Sequence, residues 1–364
     1  MTVSAAFNTD HPVAHYSRCA YRDASRGTAV SNLVRESAKK VQRFLTLGVL
    51  HLRSLWFGLL QAFLNEQLSL GSTVYVAIDR TTWRDINLLM ASIVWKGRAI
   101  PLYWQRLDSL GNSHYDKQTA FLAVALPLLT DYRVVLLGDR EFCSVDLARW
   151  LGQRGHYFCL RQKRSTYVLI EDKPWLKLSQ LDLAPGTQCF YNAVTMTKSK
   201  GFGSAHLAGK WKRRYRGFAS EEPWFLLTNL ESLDNAVAAY QKRFDIEEMF
   251  RDFKLGGYRL EDCRASRKRF LAIVLLIAIA YLCASTRGQR LKQKALQKYI
   301  ARPETAGRSY RRHSFFHVGL AAHRWMPFWQ DSQQQVQQLM MLNRGKIEYY
   351  LRGQKAMMAV LQTL

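Results

Sequence analysis

Two short apolar runs, each delivering an aspartate, constrain this chain more than any other feature. The first is Thr73–Ile78 (TVYVAI), which follows Gly71 and leads directly into Asp79. A short, β-branched, continuously apolar run predicts a buried strand. The second is Arg133–Leu137 (RVVLL), which leads into Gly138 and Asp139. Between them, Leu88–Trp95 and Ala99–Trp104 predict two more strands around a Lys-Gly-Arg turn, and Tyr115–Leu129 has helical periodicity. After them, Ser144–Arg154 predicts a helix and His156–Leu160 a fifth strand.

The resulting order, β-β-β-α-β-α-β, is that of the ribonuclease-H-like fold, an α/β architecture around a mixed sheet. In that fold the first and fourth strands are neighbours. Asp79 and Asp139, 60 residues apart in sequence, would then stand side by side. Either aspartate alone is weak, because aspartates are common in turns.

The flanks give a layout. Residues 1–70 read as a helical N-terminal region with dispersed cations, among them Arg18, Arg22, Arg26, Arg35, Lys39, Lys40 and Arg43. Residues 71–160 hold the first part of the core. Residues 161–227 contain short apolar runs (TYVLI, TQCFYNAVTM, PWFLLT) broken by Gly and Pro, which predict a β-rich insertion. A basic loop inside it, Lys198–Arg216, includes Lys212, Arg213 and Arg214 and no acid. Residues 228–290 complete the core with a strong helix over Asn235–Lys254, and residues 291–364 form a helical C-terminal region suited to dimerisation.

Charge points to the partner. The 364 residues hold 53 Lys+Arg against 28 Asp+Glu, a formal net charge of +25. Self-repulsion of that size destabilises a compact state unless a polyanion is the usual partner, and nucleic acid is the first candidate. With 48% hydrophobic residues the chain can still bury a core, so disorder is not the default. The six cysteines form no C-x-x-C pair, which leaves neither a zinc ribbon nor a redox site and reads as buried thiols in a reducing cytoplasm. The N-terminus lacks the apolar region of a secretory signal. The apolar stretch Phe270–Ala284 falls short of the ~20 residues of a membrane span and predicts a helix buried on all sides.

The helix over Tyr240–Lys254 (YQKRFDIEEMFRDFK) carries the third chemical element. At 100° per residue, Tyr240, Arg243, Glu247, Arg251 and Lys254 share one stripe, while Ile246, Met249, Phe250 and Phe253 form a separate apolar face. Arg243–Glu247 and Glu247–Arg251 are also ordinary i,i+4 pairs, common on solvated helices. The chemistry gives the mixture another meaning. Two Mg2+ ions need hard oxygen ligands, and three carboxylates supply them. Cations one turn away can hold flanking phosphates.

The spacing Tyr240-x2-Arg243-x3-Glu247-x6-Lys254 resembles the Y-x2-R-x3-E-x6-K signature of one branch of bacterial insertion-sequence transposases, DDE enzymes that cut and paste DNA through a hairpin. The likeness extends to Ile78–Trp83 (IDRTTW), Gly138–Phe142 (GDREF), Trp224–Leu230 (WFLLTNL) and Phe250–Lys254 (FRDFK), and covers roughly residues 74–287. It implies that Asp79, Asp139 and Glu247 ligate two Mg2+ ions, with Mn2+ able to substitute. It implies that Tyr240, Arg243, Arg251 and Lys254 contact phosphates of double-stranded DNA, both element ends and target, in a synaptic homodimer. Trp224 would stack on a flipped base, or else be a core aromatic. The location implied is the bacterial cytoplasm, at the nucleoid. Two other readings are a ribonuclease-H-like nuclease or resolvase, and a domesticated, non-catalytic DNA-binding protein. Against the last, a carboxylate cluster is costly without metal. Glu248, Asp85 and Glu141 are second-choice ligands. His313 and His317, at i,i+4 spacing, suit a metal, yet no Glu or Cys joins them.

Overall fold

The computed structural model describes residues 36–47, 50–107, 113–171, 173–213, 221–263, 265–307, 312–341 and 344–364. Arg18, Arg22, Arg26, Arg35, Cys19 and Arg214 lie outside the described residues.

The strands follow the expected order. β1 (Thr73–Trp83), β2 (Ile86–Trp95) and β3 (Arg98–Leu107) form an antiparallel meander. The β2–β3 turn places Lys96 and Gly97 at φ 51° and 77°, the left-handed pair that matches strand twist. β4 (Arg133–Gly138) then lies parallel to β1, and β5 (Tyr157–Arg161) parallel to β4. This is the ribonuclease-H-like arrangement, an α/β core around a mixed sheet. The sheet does not stop there. β10 (Trp224–Thr228) pairs antiparallel with β5, and β9 (Phe202–Lys210), β8 (Gln188–Met196), β6 (Tyr167–Leu169) and β7 (Leu176–Lys177) follow outward. The order across ten strands is β3-β2-β1-β4-β5-β10-β9-β8-β6-β7. The β-rich segment therefore extends the core sheet edge to edge.

β9 corrects one expectation. Phe202–Lys210 was expected to be part of a basic loop, but it is a strand between β8 and β10. Its Gly, Ser, Ala and His content hides it from a propensity reading, while Ala205, Leu207 and Ala208 are fully buried.

Central strands are apolar because both faces are covered. On β4, Val134 and Leu136 join the large core while Val135 and Leu137 join a second cluster across the sheet. Helices α1 (residues 36–44), α2 (Phe57–Gln67), α3 (Tyr115–Ala125) and α4 (Val145–Gly152) precede the outer strands in the chain. α5 (Leu233–Lys242) covers the second cluster with Ala236, Val237 and Tyr240, and α6 (Phe244–Arg251) puts Ile246, Met249 and Phe250 into the large core.

The apolar stretch forms α7 (Arg267–Gln293), longer than the run that marks it. By length and hydropathy it could cross a membrane. Its rings are instead packed within the protein: Phe270 lies 5.7 Å from Trp83, and Tyr281 lies 5.2 Å from Phe253 and 4.6 Å from Phe316. α8 (Gln297–Ile300), α9 (Phe315–Met341) and α10 (Ile347–Leu361) complete the chain. The boundary expected at residue 290 falls inside α7. α7 and α9 meet through their backbones, since a Cβ at Gly288 would collide with the Phe315 carbonyl and one at Gly319 with that of Ala284. Every described cysteine is free; Cys159 is buried as expected, but Cys283 is exposed.

Candidate active site

The β1–β4 ladder places the two aspartates. Its parallel register runs from Thr73↔Arg133 to Ile78↔Gly138, so Asp79 and Asp139 are the next residues on adjacent strands. β1 does not end at Asp79. It continues to Trp83 because β2 still pairs with it, Asp79↔Met90 onward. Asp139 instead leaves the sheet and caps a short 3-10 turn, its Oδ1 accepting from the Glu141 amide at 2.9 Å. Gly138 allows this exit, because a Cβ there would stand 2.8 Å from Phe142 Cβ.

The third carboxylate arrives on a segmented helix. No continuous helix spans Asn235–Lys254: α5 ends at Lys242, α6 starts at Phe244, and a π-helical turn covers Asp252–Gly256. At the first break the Arg243 amide donates to the Tyr240 carbonyl and the Ile246 amide to the Arg243 carbonyl, both contacts of a tightened turn. The uniform stripe is therefore lost. Tyr240 is fully buried with its hydroxyl unpaired among the described residues. Burial pushes its phenol pKa up. It is thus not a surface ligand for phosphate.

Arg243 is also buried, and it joins two of the acids. Nη1 donates to Asp79 Oδ2 at 3.2 Å and Nη2 donates to Glu247 Oε1. Glu247 remains about half exposed (48%). Asp79 senses the whole group. Its carboxyl is pushed up to about 6 by burial, with Asp139 and Glu247 raising it further and Arg243 and the Arg80 amide opposing. Asp79 is thus electrostatically coupled to each of the other two carboxylates.

The other expected contacts divide. Arg251 pairs with Glu248 at 2.8 Å and not with Glu247. Lys254, on the π-turn, reaches the Thr82 carbonyl at 3.3 Å and Glu261 at 3.4 Å, and lies over the Trp83 ring. Trp224 is only 7% exposed, covered by Tyr240, by Phe244 stacked at 5.8 Å, and by Lys212 Nζ at 4.9 Å from its ring. It is a core aromatic at the rim of the site, and not an open platform. Arg213 runs beside Gly186. Among the alternative ligands, Asp85 pairs with Arg267 and Glu248 with Arg251 and Arg98. Glu141 ties Arg80 to Ser113 at 3.0 and 2.8 Å, and so links the two aspartate loops. His313 and His317 stack at 4.6 Å, and no third ligand joins them among the described residues.

Sequence reasoning missed two features. Phe244, 37% exposed, is the outermost ring of the Trp224 cluster; its position directly after Arg243 was the available signal. Behind α6, Asp252 Oδ2 accepts from Arg98 Nε at 2.9 Å and from the Tyr281 hydroxyl at 3.1 Å. Partners this far apart in sequence leave no local signal.

A hard divalent cation fits the donor chemistry, since the candidate ligands Asp79, Asp139 and Glu247 all offer carboxylate oxygens. As they stand, no three His, Cys, Asp or Glu side chains among the described residues are close enough to hold one. Arg243 occupies the contacts between Asp79 and Glu247.

The strand order defines a ribonuclease-H-like domain, with Asp79, Asp139 and Glu247 as its candidate site. The Transposase DDE domain family matches residues 72–283, more than half of the chain, and the chain belongs to that family. The solved structure of a piggyBac transposase synaptic complex with hairpin DNA is similar at 12% identity and a TM-score of 0.36. That match covers 71% of this chain and 63% of the other, so the chain spans less than two thirds of that protein. No curated protein matches the sequence.

Proposed function

We propose that this chain is the transposase of an insertion sequence, which cuts the element's ends through a hairpin intermediate and joins them to target DNA. In this reading Asp79, Asp139 and Glu247 hold two divalent ions, Mg2+ or Mn2+. The observation that carries it is the placement of the three acids inside the family-matched region: Asp79 and Asp139 emerge side by side from the β1–β4 ladder, and Arg243 joins Asp79 to Glu247 on α6. Bound there, two such ions would activate water and neutralise charge on the attacking and leaving oxygens of a phosphodiester.

The chain's own residues do the rest. The β1–β4 ladder fixes the backbone from which Asp79 and Asp139 emerge, so both acids are delivered to one end of the sheet. Arg243, Arg251 and Lys254 place cations beside the acids for the flanking phosphates. Lys212 and Arg213 extend that positive rim past Trp224. Water attacks first at the element end; the freed 3′-hydroxyl then attacks the opposite strand, closes the hairpin and, after reopening, joins the target. Residues 1–70 would bind the end and residues 291–364 would hold a second copy, since two ends must be brought together. The setting is the bacterial cytoplasm, at the nucleoid.

The test is direct. The chain is incubated with a duplex carrying its element's terminal inverted repeat and Mg2+, and products are resolved on a denaturing gel. A nick followed by a hairpin is expected. Asp79→Ala, Asp139→Ala and Glu247→Ala should each lower cleavage at least about a thousandfold, the several kcal/mol of metal-ion catalysis, with end binding retained in a gel shift. Cleavage by all three variants at the wild-type rate would sink the proposal.

A further inference from the structure

We infer that Arg243 is an internal counter-ion that occupies the carboxylate site in the metal-free protein, so that a divalent cation binds only by displacing it. This rests on the proposed metal-binding role of Asp79, Asp139 and Glu247 and adds the state that precedes it.

Arg243 sits at the junction of α5 and α6, where tightened backbone contacts to Tyr240 and Ile246 turn its side chain inward. The side chain is 7% exposed. A cation buried to that degree loses its hydration and must find acids. It finds two, Asp79 through Nη1 and Glu247 through Nη2. The rings of Phe244 and Tyr240 flank it at 4.9 and 5.8 Å.

The guanidinium stands between the two carboxylates that a metal would have to bridge. A guanidinium donating into Asp79 Oδ2 and Glu247 Oε1 uses the lone pairs a metal would need, and its charge repels a divalent ion at that range. Occupancy by Arg243 and by metal is therefore competitive. The pairing is also incomplete, because Nε is buried with no acceptor among the described residues. Five guanidinium donors are only partly used, which leaves Arg243 ready to transfer to a better acceptor such as a phosphate oxygen. Site assembly then becomes an exchange: metal takes the carboxylates and the guanidinium is released toward the anion.

Competition of this kind lowers apparent metal affinity by the fraction of sites that are free. A protein ion-paired ten times in eleven would bind metal about tenfold more weakly than one with no competitor. The test uses the full chain without DNA at pH 7.5, titrated with Mg2+ and separately with Ca2+ by calorimetry. Arg243→Gln should bind either ion about tenfold more tightly than wild type. Arg243→Lys, which keeps a charge but cannot bridge two carboxylates as a fork, should fall between.

Thermal melting supplies the second readout. Without metal, Arg243→Gln should melt lower than wild type, because its carboxylates repel with no counter-ion. With metal its melting temperature should rise by more than that of wild type. Equal or weaker metal binding by both variants would overturn the exchange. Glu247→Gln separates the two ideas. If it weakens metal binding while Arg243→Gln and Arg243→Lys leave it unchanged, the exchange fails and the site stands. If Glu247→Gln has no effect, or if no protein binds metal at millimolar concentration, both fail.

Discussion

Asp79 and Asp139 emerge from the end of a hydrogen-bonded ladder, while Glu247 stands on a helix interrupted on both sides. In the ladder, six consecutive parallel pairs between β1 and β4 fix which residues emerge together. A register slip of one residue would turn every buried side chain to the wrong face, so the alignment is strongly specified. Nothing comparable fixes α6. It is eight residues long. It is bounded by a tightened turn at Arg243 and a π-turn from Asp252, and it is set by side chains: an apolar face of Ile246, Met249, Phe250 and Phe253, and ion pairs from Arg243 and Asp252. Backbone pairing makes one half of the site insensitive to most single substitutions, and side-chain packing makes the other half tunable.

The largest effect is expected at the aromatic cluster that seats the helical half. Trp224→Ala removes a ring packed between Tyr240, Phe244 and Lys212, and large-to-small changes of this kind cost about 3–5 kcal/mol. The melting temperature should fall, and nicking and hairpin formation should fall together, with Trp224→Phe restoring most of both. A variant that keeps its melting temperature and loses only the hairpin step would show that the ring serves a base and not the helix.

The same contrast explains what was legible in the sequence. Thr73–Ile78 and Arg133–Leu137 announce buried strands through local composition, and the ladder then follows from the fold, so both aspartates could be placed. β9 was hidden, because Gly203, Ser204, Ala205 and Ala208 lack strand propensity and are held by the strands beside them. The break at Arg243 was hidden for another reason. No Gly or Pro interrupts residues 240–254, and the turn coincides with a buried ion pair to Asp79, 164 positions away. A motif records which residues recur and not which way they face, so the inward packing of Tyr240 and Trp224 was not legible in it.

A second, smaller effect concerns the ladder half and is seen through pH. The Asp79 carboxyl is raised from 3.8 to about 6, chiefly by burial. Between those values the unfolded chain gives up its proton while the folded chain keeps it. Stability associated with Asp79 is therefore fullest below about pH 4 and is lost as pH rises through 6, by up to about 3 kcal/mol. Urea unfolding in EDTA at pH 4.5 and pH 7 should show that loss in wild type and not in Asp79→Asn. The difference in slope between the two proteins isolates this group from the others that titrate. Equal slopes would mean that the ladder presents Asp79 as an ordinary solvated carboxylate.

The smallest effect returns to the helix, at the contact behind it. Asp252 opens the π-turn five residues after Glu247, is 9% exposed, and joins β3 through Arg98 and α7 through Tyr281. Burial raises its carboxyl pKa, and the Arg98 guanidinium opposes that rise. Asp252→Asn keeps the shape and one acceptor oxygen but removes the charge, leaving Arg98 with Glu248 at 3.6 Å. A charge-assisted hydrogen bond of this kind contributes about 1.5–3 kcal/mol, and because Arg98 is partly exposed the low end is expected. Tyr281→Phe should cost less, about 1 kcal/mol, since it removes one neutral donor. If these contacts set the rotation of α6, Asp252→Asn should also slow cleavage at a temperature where the variant is fully folded, with DNA binding little changed, because the carboxylate of Glu247 would be displaced while the apolar face stays packed. If it melts and cleaves like wild type, the apolar face alone orients Glu247, and the helical half of the site is as firmly placed as the ladder.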